Sequence, residues 1–433
     1  MSDVVDLSVI VPAHHEGRNL TALLPQLREV LRAQGIRAEV LVVTSGHDPE
    51  AEAAARAEGA LVLEQRERGY GGALRMGFAQ ARGRYVLTMD ADLSHPPHFL
   101  ADLWRERHAA EILIASRYVS GGRARMPLAR RLLSLTLNRF FARGLSLSVR
   151  DMSSGFRLYD ARVVRGRDFD AHDFDILQEI LVKAYAEGWR SAEVPFRYEP
   201  RAHGSSNARV IPFGIAYLRT FFALWKLRNS ILCADYDDRA FDSAIFAQRY
   251  WQRERFRHVT ELVPAGARVL DVGCGSSRII AALPARSVAV DILLRKLRYA
   301  RRFGRLLAQA SGFSLPFPDQ SFSCVVCSQV IEHVPRDSPI LDELCRVLAP
   351  GGRLVLGTPD YGGWQWPVIE AIYARVAPGA YADEHITHYT RQELVALFDA
   401  KGYRLQATRY ILRAELILAF DKPATPPRVV AAA

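Results

Sequence analysis

Long apolar runs are missing from this chain: none reaches the ~20 residues that a membrane-spanning helix needs. Cysteine is scarce as well. The five cysteines form no ladder of spacings, which excludes a disulfide framework. Cys324 and Cys327 make a Cys-X-X-Cys, but inside the apolar run Phe322 to Val330. On a strand, positions i and i+3 point to opposite faces, so the spacing predicts two buried thiols rather than a redox or zinc pair. The opening residues carry no charged-then-apolar leader pattern, and a reducing, cytoplasmic setting is expected. No base-stacking or base-flipping motif stands out, so no nucleic-acid partner is expected despite a formal charge of +10.

What is present is a chain of 433 residues, too long for one ordinary core, with 49% hydrophobic content. The positive charge is uneven: Arg117, Arg123, Arg125, Arg130, Arg131, Arg139 and Arg143 crowd one stretch, and such surface attracts phosphates. The most informative segment is Tyr85 to His98. An apolar strand, Tyr85 to Met89, runs into Asp90 and Asp92, and Pro96-Pro97 stiffens the loop beyond. Carboxylates at i and i+2 on a strand end can share one divalent cation through hard oxygen ligands and leave room for substrate phosphates. That pattern points to a nucleotide diphosphate; a solvated acidic turn is the plainer alternative.

Around it, strands at Leu7–Val11, Glu39–Val43, Ala60–Leu63 and Tyr85–Met89 alternate with helical patterns, which predicts an α/β fold with a covered parallel sheet. Ligands in such sheets sit at the carboxyl ends of the strands, where Pro12–Glu16, Thr44–Asp48 and Asp90–Asp92 fall. Gly69–Gly72, opening a helix, is either a phosphate cradle or a tight loop. In Asp151-Met-Ser-Ser-Gly-Phe-Arg157, Asp151 is a candidate general base, or a partner for Arg157. Arg201 to Asn207 is a basic, hydroxyl-rich loop able to fold over a diphosphate.

Six pieces in order carry a resemblance: Ser8–Pro12 with Glu16, Gly69–Ala73, Met89–Pro97, Ser116–Tyr118, Ser153–Arg157 and Arg201–Ser205. Residues 7 to about 208 resemble family-2 glycosyltransferases of the GT-A fold, near the polyprenol-phosphate (dolichyl-phosphate) mannosyltransferases. The resemblance implies a nucleotide-sugar donor, a Mg or Mn cation at Asp90 and Asp92, and inverting attack by a lipid phosphate. It gives Glu16 a nucleotide contact and brings Arg117 and Arg201 to phosphates. Pro12, Ser45 and Ser205 complete the expected donor contacts. The family's paired aspartates after the second strand are replaced by Thr44-Ser45-Gly46, with Asp48 as the nearest substitute. Its glutamine after the acid pair is Ser94, counted here with the metal site, and its closing lysine is Asn207.

The second half carries a different signature. In Arg268-Val-Leu-Asp-Val-Gly-Cys-Gly-Ser276, a strand ends in Asp271, and Gly273 and Gly275 permit close ligand approach. Twenty residues after Asp271, at another strand end, stands Asp291, suited to ribose hydroxyls. Leu315-Pro-Phe-Pro-Asp319, Ile331–Val334 and the Pro-Gly-Gly turn before Arg353–Leu356 follow in order. Together these resemble class I S-adenosylmethionine-dependent methyltransferases acting on small molecules. The resemblance implies that the glycine loop holds the methionine moiety, Asp291 the ribose, and Gln309 and Ala310 the adenine. NAD is the rival ligand for the glycine loop. His333 is the best candidate base, with His385 and His388 as alternatives, and packing is the plainer role for each. His385 and His388 with Asp383 and Glu384 are a weaker metal-cluster candidate. Gly362, Gly363, Trp364 and Trp366 suggest an acceptor lid.

The predicted architecture is therefore α/β with two Rossmann-like domains. Residues 1–210 form a GT-A glycosyltransferase domain, 211–244 an amphipathic, aromatic connector, 245–421 a class I methyltransferase domain and 422–433 a disordered tail. Pro127–Leu147 and Ile211–Trp225 mix apolar and basic residues in the manner of interfacial helices, though core packing would use the same residues. The expected function is bifunctional. A sugar passes to polyprenyl phosphate, and a small molecule, lipid or glycan is methylated. Peripheral attachment at the inner face of the membrane is expected with it. A transferase acting on a cell-envelope glycan, and a binding scaffold with an inactive first domain, are the competing readings.

Overall fold

The computed structural model describes residues 4–198, 210–376 and 385–424. The chain divides into two compact units. One comprises residues 1–185 and 189–228, the other 186–188 and 229–433.

The first unit holds strands β1 (Leu7–Ala13), β2 (Ala38–Thr44), β3 (Leu61–Glu64), β4 (Tyr85–Thr88), β5 (Ile112–Ser116), β6 (Arg123–Ala124), β7 (Arg157–Asp160), β8 (Ser191–Pro195) and β9 (Arg197–Tyr198). Seven of them form one sheet in the order β3-β2-β1-β4-β7-β5-β8, and β6 pairs with β9. Only β7 runs antiparallel to its neighbours in the large sheet. Such a sheet is covered on both faces, which is why its strands read as unbroken apolar runs. Along β1, Ile10 joins one core cluster while Leu7, Val9 and Val11 join the other. The helix Gly17–Ala33 covers the second face with Leu20, Leu23, Leu24, Leu27 and Leu31, the 3.6-residue stripe expected from the sequence.

The second unit holds β10 (Val269–Val272), β11 (Val288–Asp291), β12 (Leu306–Gln309), β13 (Phe322–Ser328), β14 (Leu348–Pro359), β15 (Arg404–Ile411) and β16 (Glu415–Asp421). Their order is β12-β11-β10-β13-β14-β16-β15, with β16 antiparallel to both β14 and β15. Cys324 and Cys327 are fully buried on β13 and belong to separate core clusters, one on each face, as their spacing predicts.

The stretch 211–244 does not behave as one linker. The helix Val210–Arg228 belongs to the first unit, where Phe221 and Leu224 enter the core. From Asn229 onward the chain belongs to the second unit, and the short helix Tyr236–Phe241 packs there with Tyr236 and Ala240 buried. Aromatic composition alone could not divide the stretch, because each half buries its rings in a different core.

In both sheets the first strand stands where the chain order reverses: β2 and β4 flank β1, and β11 and β13 flank β10. The crevice outside the carboxyl ends at such a point is where ligands bind in open α/β sheets.

Candidate functional sites

In the first unit, the register of β1 with β4 brings Pro12–Glu16 and Asp90–Asp92 to the same edge of the sheet. Asp92 is 3% exposed, and its Oδ1 accepts the Ser94 backbone N–H at 3.1 Å. The Asp90 side chain is more open, at 30%. Behind it lies a residue that no motif singles out for a role. His95 Nδ1 accepts the Asp90 backbone N–H at 2.9 Å, which leaves its proton on Nε2, 3.7 Å from Asp90 Oδ2. The ring is buried and stacks on Phe156 at 4.9 Å. Burial pushes the imidazole below its ordinary pKa, against the pull of Asp90 and Asp92, so His95 is a neutral donor at physiological pH. Ser94 is fully buried and its Oγ has no hydrogen-bond partner among the described residues.

Asp151 has a different partner from the one the sequence suggested. It is fully buried, and Arg117 donates to it from Nε and Nη2, both at 2.7 Å, and from its backbone N–H at 3.0 Å. Ser153 Oγ accepts a further Arg117 bond at 2.8 Å. Burial opposes the guanidinium charge, but the fork onto Asp151 outweighs it and raises the Arg117 pKa. Arg157 instead donates to the backbone carbonyls of Met152, Ser154 and Leu177, fully buried. Arg117 follows β5 while Arg157 opens β7, so sheet order decides which arginine meets Asp151.

The other expected donor contacts divide. Glu16 accepts from Asn19 at the start of the first helix. Ser45 is exposed and hydrogen-bonds His14, joining the carboxyl ends of β1 and β2. Asp48 caps the helix Pro49–Ala57 through the Ala51 N–H at 3.1 Å, a use that explains an acid at that position without a nucleotide. Gly71 donates its N–H to the His172 carbonyl at 2.7 Å, and a Cβ at Gly71 or Gly72 would collide with backbone oxygens. Gly69 has the positive φ, 89°, of the tight-loop reading, while Gly71 and Gly72 are required by close packing. Arg201, Ser205 and Asn207 lie outside the described residues.

In the second unit, Gly273 and Gly275 follow β10 with φ of 70° and 56°, in the left-handed region that favours glycine. A Cβ at Gly273 would strike Val330, just beyond β13. Asp291 closes the loop: Oδ2 accepts the Gly275 N–H at 2.9 Å and Oδ1 the Leu293 N–H at 2.8 Å. Gln309 lies beside Asp291 in register, donates to the Ile292 carbonyl at 3.0 Å, and is followed by Ala310, whose N–H reaches the Asp291 carbonyl at 3.2 Å. Asp271 is 4% exposed; burial, then the charge of Asp291, pushes its pKa up to about 7.

The sequence reading missed Asp237. Its Oδ2 accepts from Ser276 Oγ at 2.9 Å, Ser276 N at 3.2 Å and Lys296 Nζ at 3.1 Å. Burial works against its charge, but Lys296 and these bonds win and bring its pKa down to about 2. Glu332 was also passed over beside His333. It is fully buried, Thr358 donates to its Oε2 at 3.1 Å, and burial pushes its pKa up to about 8. His333 ends the short turn after β13, its ring centroid 5.0 Å from that of His385. His388 stacks on Tyr361 at 4.0 Å, and Asp383 and Glu384 lie outside the described residues.

Comparison with known proteins agrees with both halves. The profile of Glycosyl transferase family 2 matches residues 8–166. A dolichol-phosphate mannosyltransferase of Mycosarcoma maydis is 30% identical over 244 residues, covering 52% of this chain and 81% of that protein. The chain belongs to glycosyl transferase family 2. A dolichol-phosphate mannosyltransferase of Pyrococcus furiosus is 31% identical over 235 residues; the match covers 52% of this chain but 65% of that protein's length. The profile described as "Methyltransferase domain" matches residues 270–356. Among solved structures, a glucosyl-3-phosphoglycerate synthase from Mycobacterium tuberculosis aligns at 20% identity and TM-score 0.40, covering 51% of this chain and 80% of that one.

Proposed function

We propose that the first unit transfers a sugar from a nucleotide-sugar donor to a polyprenyl-phosphate-type acceptor, and that the second transfers a methyl group from S-adenosylmethionine. The observation that carries the first half is the acid pair at the carboxyl end of β4, held from behind by a neutral, buried histidine. Two carboxylates at one strand end, one buried and one open, offer the hard oxygen donors that a Mg or Mn cation takes. When bound, that cation supplies positive charge against the diphosphate leaving group. His95 fixes the main chain at Asp90 and points its N–H toward the Asp90 carboxylate, the arrangement by which outer groups orient a ligand. Asp151, with both oxygens engaged, acts by positioning Arg117 rather than by taking a proton. Arg117, held rigid at the end of β5, faces donor or acceptor phosphate.

A lipid phosphate acceptor is favoured by the surface of two helices. Leu128–Gly144 and Val210–Arg228 meet through Phe140 and Phe221, 5.1 Å apart. They leave Leu132 64%, Leu133 53%, Phe222 60% and Trp225 46% exposed, with Arg131, Arg139, Arg143, Arg219 and Lys226 also exposed. No described helix is long and apolar enough to cross a membrane. Apolar and cationic side chains in this mixture suit the headgroup boundary.

For the second unit, Asp291, Gln309 and the glycine loop would hold the cofactor. Asp271, buried beside them, sits where a sulfonium or ammonium charge would be welcomed. S-adenosylmethionine supplies the methyl group; the chain's contribution is alignment and exclusion of water. Incubation with radiolabelled nucleotide sugars, Mn2+ and polyprenyl phosphate tests the first activity. Labelled product that disappears in Asp92→Ala supports it. Donor binding without turnover across a panel of sugars favours the inactive scaffold, and product made only on a glycan acceptor favours the envelope-glycan reading.

A further inference from the structure

We infer that Glu332, His333 and His385 form a binding site for a first-row divalent transition metal in the second unit, separate from the acid pair of the first. One carboxylate oxygen and one nitrogen of each histidine lie within 4.8 Å of one another. Two imidazoles and a carboxylate suit zinc, iron, cobalt or nickel better than the oxygen-only preference of magnesium or calcium.

The local fold assembles this set from two chain segments. Glu332 and His333 stand in the short turn after β13, and the backbone N–H groups of Ile386 and Thr387 donate to the Glu332 carbonyl at 2.8 and 3.0 Å, which fixes His385 alongside. The Glu332 side chain supplies the independent sign of a ligand. It is fully buried; Thr358 donates to Oε2, while Oε1 has no hydrogen-bond partner among the described residues. A buried carboxylate oxygen without a donor is destabilising unless a cation answers it.

His385 carries the support expected behind a metal-bound imidazole. Its Nδ1 lies 3.1 Å from Glu370 Oε1 and 2.8 Å from the Tyr361 hydroxyl, and Tyr361 also donates to Glu370 at 3.0 Å. With Nδ1 engaged by a carboxylate, Nε2 is the nitrogen left for coordination. Three protein ligands leave a coordination position for an oxygen-bearing molecule. Val330, against which Gly273 packs, immediately precedes the turn that holds Glu332 and His333.

The test uses the full chain carrying Asp90→Asn and Asp92→Asn, which silences the first unit's acids, titrated with Zn2+ by calorimetry and with Co2+ by visible absorption. One saturable equivalent is expected. His333→Asn, His385→Asn and Glu332→Gln should each weaken it at least tenfold, and Glu370→Gln by about 10–100-fold. Glu332 is buried, so the histidine variants decide the outcome if Glu332→Gln unfolds. Absence of saturable Zn2+ uptake overturns the inference, as does uptake undiminished in the His333→Asn/His385→Asn double variant. Comparison of wild type with Asp90→Asn/Asp92→Asn, titrated with Mn2+, reports separately on the cation proposed for the first unit.

Discussion

Two sheets in this chain bring a pair of aspartates to the same topological place, and they treat them differently. In the first unit Asp90 and Asp92 end one strand, two residues apart, with Asp90 open to solvent and a neutral histidine behind it. In the second, Asp271 and Asp291 end neighbouring strands, and both are largely buried. Asp291 has two backbone N–H partners, while Asp271 is pushed up to about 7 by burial and by Asp291. One open and one buried carboxylate at a single strand end, with a neutral donor behind, suit a divalent cation shared with a diphosphate. A buried acid close to neutrality suits a ligand that brings its own positive charge and its own apolar surface. The position is set by the α/β topology; the difference lies in the one open carboxylate, Asp90, which the second pair lacks.

The largest effect should come from the acid pair of the first unit. Asp92→Ala should lower sugar transfer by on the order of 10³-fold with little change in melting temperature, since it removes an electrostatic group rather than core packing. Steady-state rates and thermal unfolding on the same preparation check this. Comparable rates in the variant would erase the distinction between the two pairs. Next comes His95. His95→Ala should slow transfer by about 10–100-fold, and His95→Gln, which can still accept the Asp90 N–H, should recover part of that. An equal loss in both would assign His95 to packing on Phe156 alone.

The third prediction concerns the buried pair and has a defined sign. Below pH 7 Asp271 is protonated; above it the carboxylate forms. A cationic cofactor favours the carboxylate, so S-adenosylmethionine affinity should rise between pH 6 and 8 by up to about tenfold per pH unit below the midpoint. Asp271→Asn should flatten that profile. The same shift bears on stability. The folded protein holds the Asp271 proton to about pH 7 and the unfolded chain releases it near the ordinary value of 3.8, so stability declines as pH rises through that window. Asp271→Asn should therefore raise the second unit's melting temperature at pH 8 and much less at pH 4. A smaller effect is expected at the helix surface. Phe222→Ser with Trp225→Ser should reduce sedimentation with anionic vesicles several-fold at low salt, with the folded state intact.

How much of this could be read beforehand follows the distance over which each contact acts. Strand-end acids, the glycine loop and the Asp291 spacing are local patterns, and both the α/β class and the two sheets were legible from them. Asp151 was visible as a site residue, but its partner was not: Arg117 is 34 residues away, and only the placement of β5 and β7 decides between it and Arg157. Asp237 was hidden because its segment reads as a linker until the fold lays it on Ser276 and Lys296. Glu332 stood next to a residue already singled out. Its interest comes from complete burial, which a polar three-residue turn does not announce.

Whether the acid pair holds a cation against a diphosphate is decided by calorimetry of nucleoside diphosphate binding in Mn2+, in chelator, and in the Asp90→Asn/Asp92→Asn variant. Saturable binding that needs Mn2+ and is lost or weakened at least a hundredfold in the variant is expected. Binding of equal strength in chelator, unchanged by neutralising both acids, would contradict it.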